Sequence, residues 1–387
     1  MRHNAPYKLS KTTKAGSAFS QFEELSAEEG RDRDGGGYPK MPKIALFLGA
    51  GASKPFGLPT VNEFFERVSW DRKGYRLATC ELARRIWISR GKREACPFPS
   101  FNSEWLLEDL QKIVDIERLR ETGWNIPECT AQELLAFLKR EVVRVFGQER
   151  KPDPSLAYLP LIKRLNEEIG IEGPLKVFTT NYDTIIETLF RKPDSKALDV
   201  QFIEGFKKGS NNGTREWSIK EYQPSLQAGN KLRVELFKLH GSVTWKWDAE
   251  KVVDLGWAKP TDYDCLLYLG YKGIPEWEYT SSNLFWHLHE ELIKALHTYD
   301  LFIVIGFSFG DAFIRNLFSI ALRGNTNPRG LRVVIATPDK SGLHEEVGDA
   351  WDRRYPIDFL GCPFGEENFT EELLNMRIVK EIKPQRS

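Results

Sequence analysis

Cysteine and methionine are both scarce in this chain of 387 residues, at five and three copies. The thiols Cys80, Cys96, Cys129, Cys265 and Cys362 are odd in number, and no two have CxxC spacing. Neither a disulfide framework nor a four-cysteine zinc site is expected, and no metal centre. Reduced thiols in a cytoplasmic protein are expected instead. Charge of one sign is missing too: 55 basic residues balance 55 acidic ones, and the two kinds are interspersed. No electrostatic footprint for a phosphate backbone results, so no direct nucleic-acid partner is expected. No apolar run approaches the roughly 18 residues of a membrane span. The opening MRHNAPYKLSKTTK has no apolar core of a signal peptide, so neither membrane nor export is expected.

What is present is ordinary globular material, 41% hydrophobic and 28% charged. The length suits one large domain with an insertion, or two domains. Residues 1–40 are polar, include Gly35-Gly36-Gly37, and read as a disordered arm. Short apolar runs then recur at 43–48, 175–178, 234–239, 265–269, 301–305 and 331–336. Each reads as a strand buried on both faces. Helical patterns lie between them, so the fold class expected is α/β, a doubly wound Rossmann-like parallel sheet.

More than a hundred residues separate the first two runs, and they look helical. Thr60–Glu63 and Thr130–Glu133 both have capping-box spacing. After the second box Leu134, Leu138, Val142 and Val145 recur at helical intervals, and Gly147 follows as a C-cap. A helical insertion subdomain over 61–169 is expected, dividing a Rossmann-like α/β domain of residues 41–60 and 170–340. Residues 341–387 are expected to pack on that domain. The stretch 207–213, rich in Gly, Ser and Asn, reads as a surface loop.

Polar clusters sit at the carboxyl ends of the runs, where open α/β sheets bind ligands. Gly49-Ala50-Gly51-Ala52-Ser53 offers glycines for a tight turn and amides for a pyrophosphate. Lys54 occupies the place of the third fingerprint glycine, and a purely structural turn is the competing reading. Thr179-Thr180-Asn181-Tyr182-Asp183 follows the second run; helix capping by Asn181 or Asp183 competes there. His240-Gly241 follows the third run, and an imidazole with an ordinary pKa near 6.5 serves as a base at cellular pH. His3, His287, His289, His297 and His344 lie in the arm, a helical stretch without HExxH spacing, or a polar tail. Gly306-Phe307-Ser308-Phe309-Gly310-Asp311 follows the fifth run, with Asp311 as a helix cap. It also spells GxSxG, which raises a serine hydrolase with Ser308 as nucleophile and His344 as the only later histidine. Asp339 is placed either to bond a ribose or in a simple turn.

In order and placement these motifs resemble the sirtuin family over about residues 43–340. Gly49–Ser53 with Gly57-Leu58-Pro59 is similar to the family's GAGxS…GxP opening, Asn181 to Asp183 to its QNxD motif, His240-Gly241 to its HG, and Gly306-Phe307-Ser308 to its GxS loop. The resemblance implies NAD as substrate, with no metal. It implies His240, neutral near pH 7, as base, and Asn181 placing a water or the ribose hydroxyls. Asp183 either orients Asn181 or binds the nicotinamide amide. Gly49, Ala50, Gly51, Ala52, Ser53, Pro59, Thr180, Gly306 and Ser308 are implied to hold the dinucleotide. The zinc-module cysteines are absent, and Thr60-Val61-Asn62 replaces Asp-Phe-Arg. These departures resemble the bacterial sirtuin-like proteins of anti-phage defence, which hydrolyse NAD as homo-oligomers or beside a HerA-type ring ATPase. An NAD-dependent protein deacylase and a non-catalytic NAD or ADP-ribose sensor are the alternatives.

Overall fold

The computed structural model describes residues 41–382, except 71–72, 90, 93–94, 121–129, 148–152, 192–198, 209–213, 224–230, 249–250, 257–264, 268–283, 325–329 and 339–356. The expected arm at 1–40, most of the expected loop at 207–213, and Cys129, Asp339 and His344 lie outside the described residues.

Seven strands form one parallel sheet: β1 (Ile44–Leu48), β2 (Leu175–Thr179), β3 (Val200–Ile203), β6 (Leu232–Lys238), β10 (Leu301–Ile305), β11 (Arg332–Ala336) and β12 (Ile357–Leu360). Their order is β12-β11-β10-β1-β2-β6-β3. The α/β, doubly wound expectation therefore holds. Strand β1 lies centrally, in register with β10 on one edge and β2 on the other. The chain winds outward in both directions from it, so the sheet's topological switch point is at β1.

Alternation along β1 explains its all-apolar sequence. Ile44, Leu46 and Leu48 enter one core, Ala45 and Phe47 the other. The first core takes Tyr158, Leu161 and Ile162 from α4 (Ser155–Arg164) and Ile185, Ile186 and Leu189 from α5 (Ile185–Arg191). The second takes Leu288, Leu292 and Leu296 from α6 (Leu284–Thr298) and Ile314 and Phe318 from α7 (Ala312–Gly324).

A second, antiparallel sheet joins β4 (Phe206–Lys208), β5 (Arg215–Trp217), β8 (Lys251–Asp254), β7 (Gly241–Asp248) and β9 (Cys265–Leu267) in that order. This corrects the reading of 265–269 as part of the parallel sheet. An apolar run reports burial, not the direction of the partner strand. Strand β9 packs Cys265 and Leu267 against a third core, made by α1 (Lys73–Ser89), α2 (Ser103–Arg120) and α3 (Ala131–Phe146).

Helix α3 starts at the full Thr130–Glu133 capping box, and the Gly147 amide donates to the Val143 carbonyl at its end. At Thr60 only the reciprocal half forms. The Glu63 carboxylate accepts from the Thr60 amide at 2.9 Å and pairs with Lys54 at 2.8 Å. The helical core ends near residue 147, and α4 belongs to the parallel sheet's core. The C-terminal segment supplies β12 and the buried Phe369, Leu373 and Leu374 of α8 (Phe369–Asn375).

Candidate active site

Four loops leave the carboxyl ends of β1, β2, β6 and β10 and meet beside the switch point. The glycines of the first and last have a local cause. The Gly49 and Gly51 amides donate to the carbonyls of Ile305 and Gly306, both at 2.9 Å. A Cβ on Gly49 would stand 2.6 Å from the Gly306 oxygen, and one on Gly306 only 2.2 Å from the Ala52 nitrogen. Gly306 also holds a φ of 62°. The two loops cross backbone to backbone, as the structural-turn reading expects. The Ala52 and Ser53 amides also bond within the loop, to the Gly49 and Ala50 carbonyls. The amides of Gly49, Gly51, Ala52 and Ser53, expected to face a pyrophosphate, are thus engaged by the chain itself. Gly306→Ala is expected to destabilise the fold by about 3 kcal/mol, from left-handed strain plus overpacking. A urea midpoint within error of wild type would refute the crossing as the reason for glycine.

Asn181 is fixed from behind. Its amide nitrogen donates to the Gly49 carbonyl at 2.9 Å and to Ser53 Oγ at 3.0 Å. Ser53 Oγ in turn donates to Asp183 Oδ2 at 2.7 Å, while Asp183 Oδ1 accepts the Ile185 amide at the start of α5. Asp183 therefore orients Asn181 through Ser53 and caps a helix with its other oxygen. Both amide hydrogens of Asn181 are used, which leaves its Oδ1 as the end available to a ligand.

Below this chain Lys238, 2% exposed, donates to the Asp183 carbonyl and to Glu187 Oε1 at 2.9 Å. Burial raises the Glu187 carboxyl pKa; the Lys238 charge opposes that rise.

His240 is set by the Leu239 amide, which donates to the Thr179 carbonyl at 2.8 Å. Gly241 follows at φ 83° because a Cβ there would meet the Leu266 carbonyl at 2.2 Å. The buried imidazole lies between two carboxylates. Its Nε2 is 3.2 Å from Asp311 Oδ2, and its Nδ1 is 3.8 Å from Glu104 Oε1. Burial alone would lower its pKa, but bonds and charges from Asp311 and Glu104 outweigh that and raise it to about 9. The two carboxylates thus favour the protonated ring, where the sequence suggests a neutral histidine near pH 7. Burial pushes the Asp311 carboxyl up and the His240 pairing pulls it down further, so it ends below the usual range.

The serine-hydrolase reading fails on geometry. Ser308 is exposed, and its Oγ accepts from the Gly310 amide at 3.4 Å. The strained residue of the loop is Phe309, at φ 58°, whereas an elbow strains the nucleophile itself. The histidine beside this loop, His240, pairs with Asp311.

Asp311 reads from sequence as a cap, and it is one, accepting the Phe313 and Ile314 amides on Oδ1. Its second oxygen serves His240, and nothing local signals that. Glu104 carries no sequence signal of its own; it sits in the first turn of α2, far from His240 in sequence. Beside Asn181 and Glu104 lies a small cavity of about 30 Å³, whose lining includes neither His240 nor Asp311. Ala50, Ser53, Pro59, Thr180, Asn181 and Asp183 line one side, and Glu104, Leu107, Val142 and Phe146 of the helical subdomain the other.

Among the described residues no cluster of three or more His, Cys, Asp or Glu side chains could hold a metal ion. Among the described residues, Cys80, Cys96, Cys265 and Cys362 form no disulfide. No helix among the described residues is long and apolar enough to cross a membrane.

Residues 175–360 match the family description of a SIR2-like domain. That span holds Asn181, Asp183, His240 and Gly306–Ser308, while Gly49–Ser53 falls before it. No curated protein matches the chain. Among solved structures, one of Sir2 bound to acetylated peptide is 13% identical, with 92% of this chain and 97% of that chain covered at a TM-score of 0.38. A Sir2–p53 peptide–NAD+ complex is 14% identical, with 92% and 97% covered at a TM-score of 0.36. The architecture stated above rests on the sheet order itself and not on these distant overlaps.

Proposed function

We propose that the protein is an NAD glycohydrolase, releasing nicotinamide and ADP-ribose with water as acceptor. The observation that carries this reading is the Asn181 amide, locked by Gly49 and Ser53 on the loop after β2, next in the sheet to β6, whose loop carries His240, the partner of Asp311. A SIR2-like domain supports NAD as the substrate. In the reaction the bond from ribose C1′ to the ring nitrogen breaks. Its electron pair neutralises the departing nicotinamide, and the ribose takes up positive charge. Asn181 Oδ1 holds the incoming water, and His240, in its deprotonated form, takes the proton as the C1′–O bond forms. Asp183 positions Asn181 through Ser53. NAD would enter along the cavity between the Asn181 loop and the helical wall. A gated effector of anti-phage defence, as a homo-oligomer or beside a HerA-type ring ATPase, is the setting this reading carries with it.

The test is to incubate the full chain with NAD alone and follow nicotinamide and ADP-ribose by chromatography. Nicotinamide is expected without any peptide, and acetylated peptide is expected neither to speed its release nor to yield O-acetylated ADP-ribose. Release that depends strictly on acyl-peptide would overturn the hydrolase in favour of a deacylase.

A further inference from the structure

The charges around the cavity are one-sided. Its lining includes two carboxylates, Glu104 and Asp183, and no lysine or arginine. Lys238 and His240, on the neighbouring strand β6 and its loop, are both paired: Lys238 with Glu187 at 2.9 Å, and His240 with Asp311 at 3.2 Å. Asp183 has both oxygens engaged, by Ser53 and by the Ile185 amide. Glu104 differs. Its side chain is 30% exposed, and its contact with the 7%-exposed imidazole is a long 3.8 Å. It also comes from α2, on the helical side of the cavity, opposite the Asn181 loop.

NAD has two ends of opposite charge. Its pyrophosphate is doubly anionic and would be repelled by this lining; its nicotinamide ring is a cation. An acidic cavity without lysine or arginine suits the ring end alone. As the glycosidic bond breaks, that positive charge passes from ring to ribose without leaving the cavity, so one fixed carboxylate can stabilise both the bound state and the transition state.

Resting on the glycohydrolase reading, we propose that Glu104 is the carboxylate that faces the cationic ring and then the ribosyl cation, selecting the oxidised dinucleotide over the reduced one. The helical subdomain thereby supplies a catalytic group and not only a wall.

The experiment compares wild type with Glu104→Gln and Glu104→Asp. Carba-NAD, which keeps the cationic ring but has a methylene in place of the ribose ring oxygen and so forms no ribosyl cation, and its neutral dihydro form are titrated into the full chain by calorimetry. Wild type is expected to bind the cationic form at least about tenfold more tightly, and Glu104→Gln is expected to bring the ratio near one, in line with the loss of one charge pair at partial burial. In parallel, Glu104→Gln is expected to lower kcat for NAD about 10²-fold, with Glu104→Asp recovering part of the loss. An unchanged binding ratio, or full kcat in Glu104→Gln from an active wild type, overturns this inference and leaves the glycohydrolase standing. A wild type that binds neither form and releases no nicotinamide overturns both.

Discussion

His240→Ala is expected to lower NAD turnover by about 10²–10⁴, the usual loss with a positioned general base. Binding of NAD should change far less, because the Asn181–Ser53–Asp183 chain does not pass through the histidine. A variant keeping more than about a third of wild-type turnover would show that His240 is not the base. The same residue fixes the pH dependence. The groups facing it are Asp311, Glu104, Tyr182 at 6.4 Å between ring centroids, and His289. The two carboxylates hold the imidazole proton up to about pH 9, and a base must have lost that proton. Since kcat/KM reports the free enzyme, it should climb with pH toward 9 and level off above it. A plateau already reached near pH 7 would assign the proton transfer elsewhere. Stability runs the opposite way. The folded-state pKa of His240 lies above its ordinary 6.5, so its contribution is complete below that value and is lost as pH rises through about 9.

Lys238→Met is expected to cost about 3–5 kcal/mol of stability, because it leaves the buried Glu187 carboxyl without its cation. Glu187 is 2% exposed and the Asp183 carbonyl loses a donor as well. The double variant Lys238→Met/Glu187→Leu should recover much of that loss, since an apolar pair of similar volume also fills the site. Urea unfolding of the single and double variants gives the coupling directly. Additive losses would mean that the two residues are not an interacting pair. Because Lys238 lies beneath Asp183, the single variant is also expected to disturb the Asn181 loop.

How far this could be read from sequence depended on how many faces of a segment are buried. Strands β1 and β10 are apolar at every position because both faces meet a core, and they were legible. Strand β9 obeyed the same rule and still belonged to the other sheet. Strands β3, β4, β5 and β12, three or four residues long and mostly half-buried, carried too little pattern to read. Strand β7, from Gly241 to Asp248, carries period-two spacing in Val243, Trp245 and Trp247. At the site, the loop residues after each strand were legible because position at a strand's carboxyl end is a local property. The proton held by His240 was not. It depends on Glu104, brought in by a helix of the insertion, and on the second oxygen of a residue that already had a sufficient role as a cap.

The central place of β1 has a consequence for biosynthesis. The strand is made early, yet it pairs with β10, about 250 residues later in the chain. At ribosomal rates of 5–20 residues per second that interval is roughly 12–50 s. Until β10 emerges, the nascent chain holds its most apolar strand with one edge unpaired, and Gly49 and Gly51 lack the carbonyls of Ile305 and Gly306. His240 waits equally for Asp311. Products released before residue 311 therefore carry Asn181 and His240 without the assembled site. On the proposed glycohydrolase reading, the chain would thus stay inert through most of its synthesis.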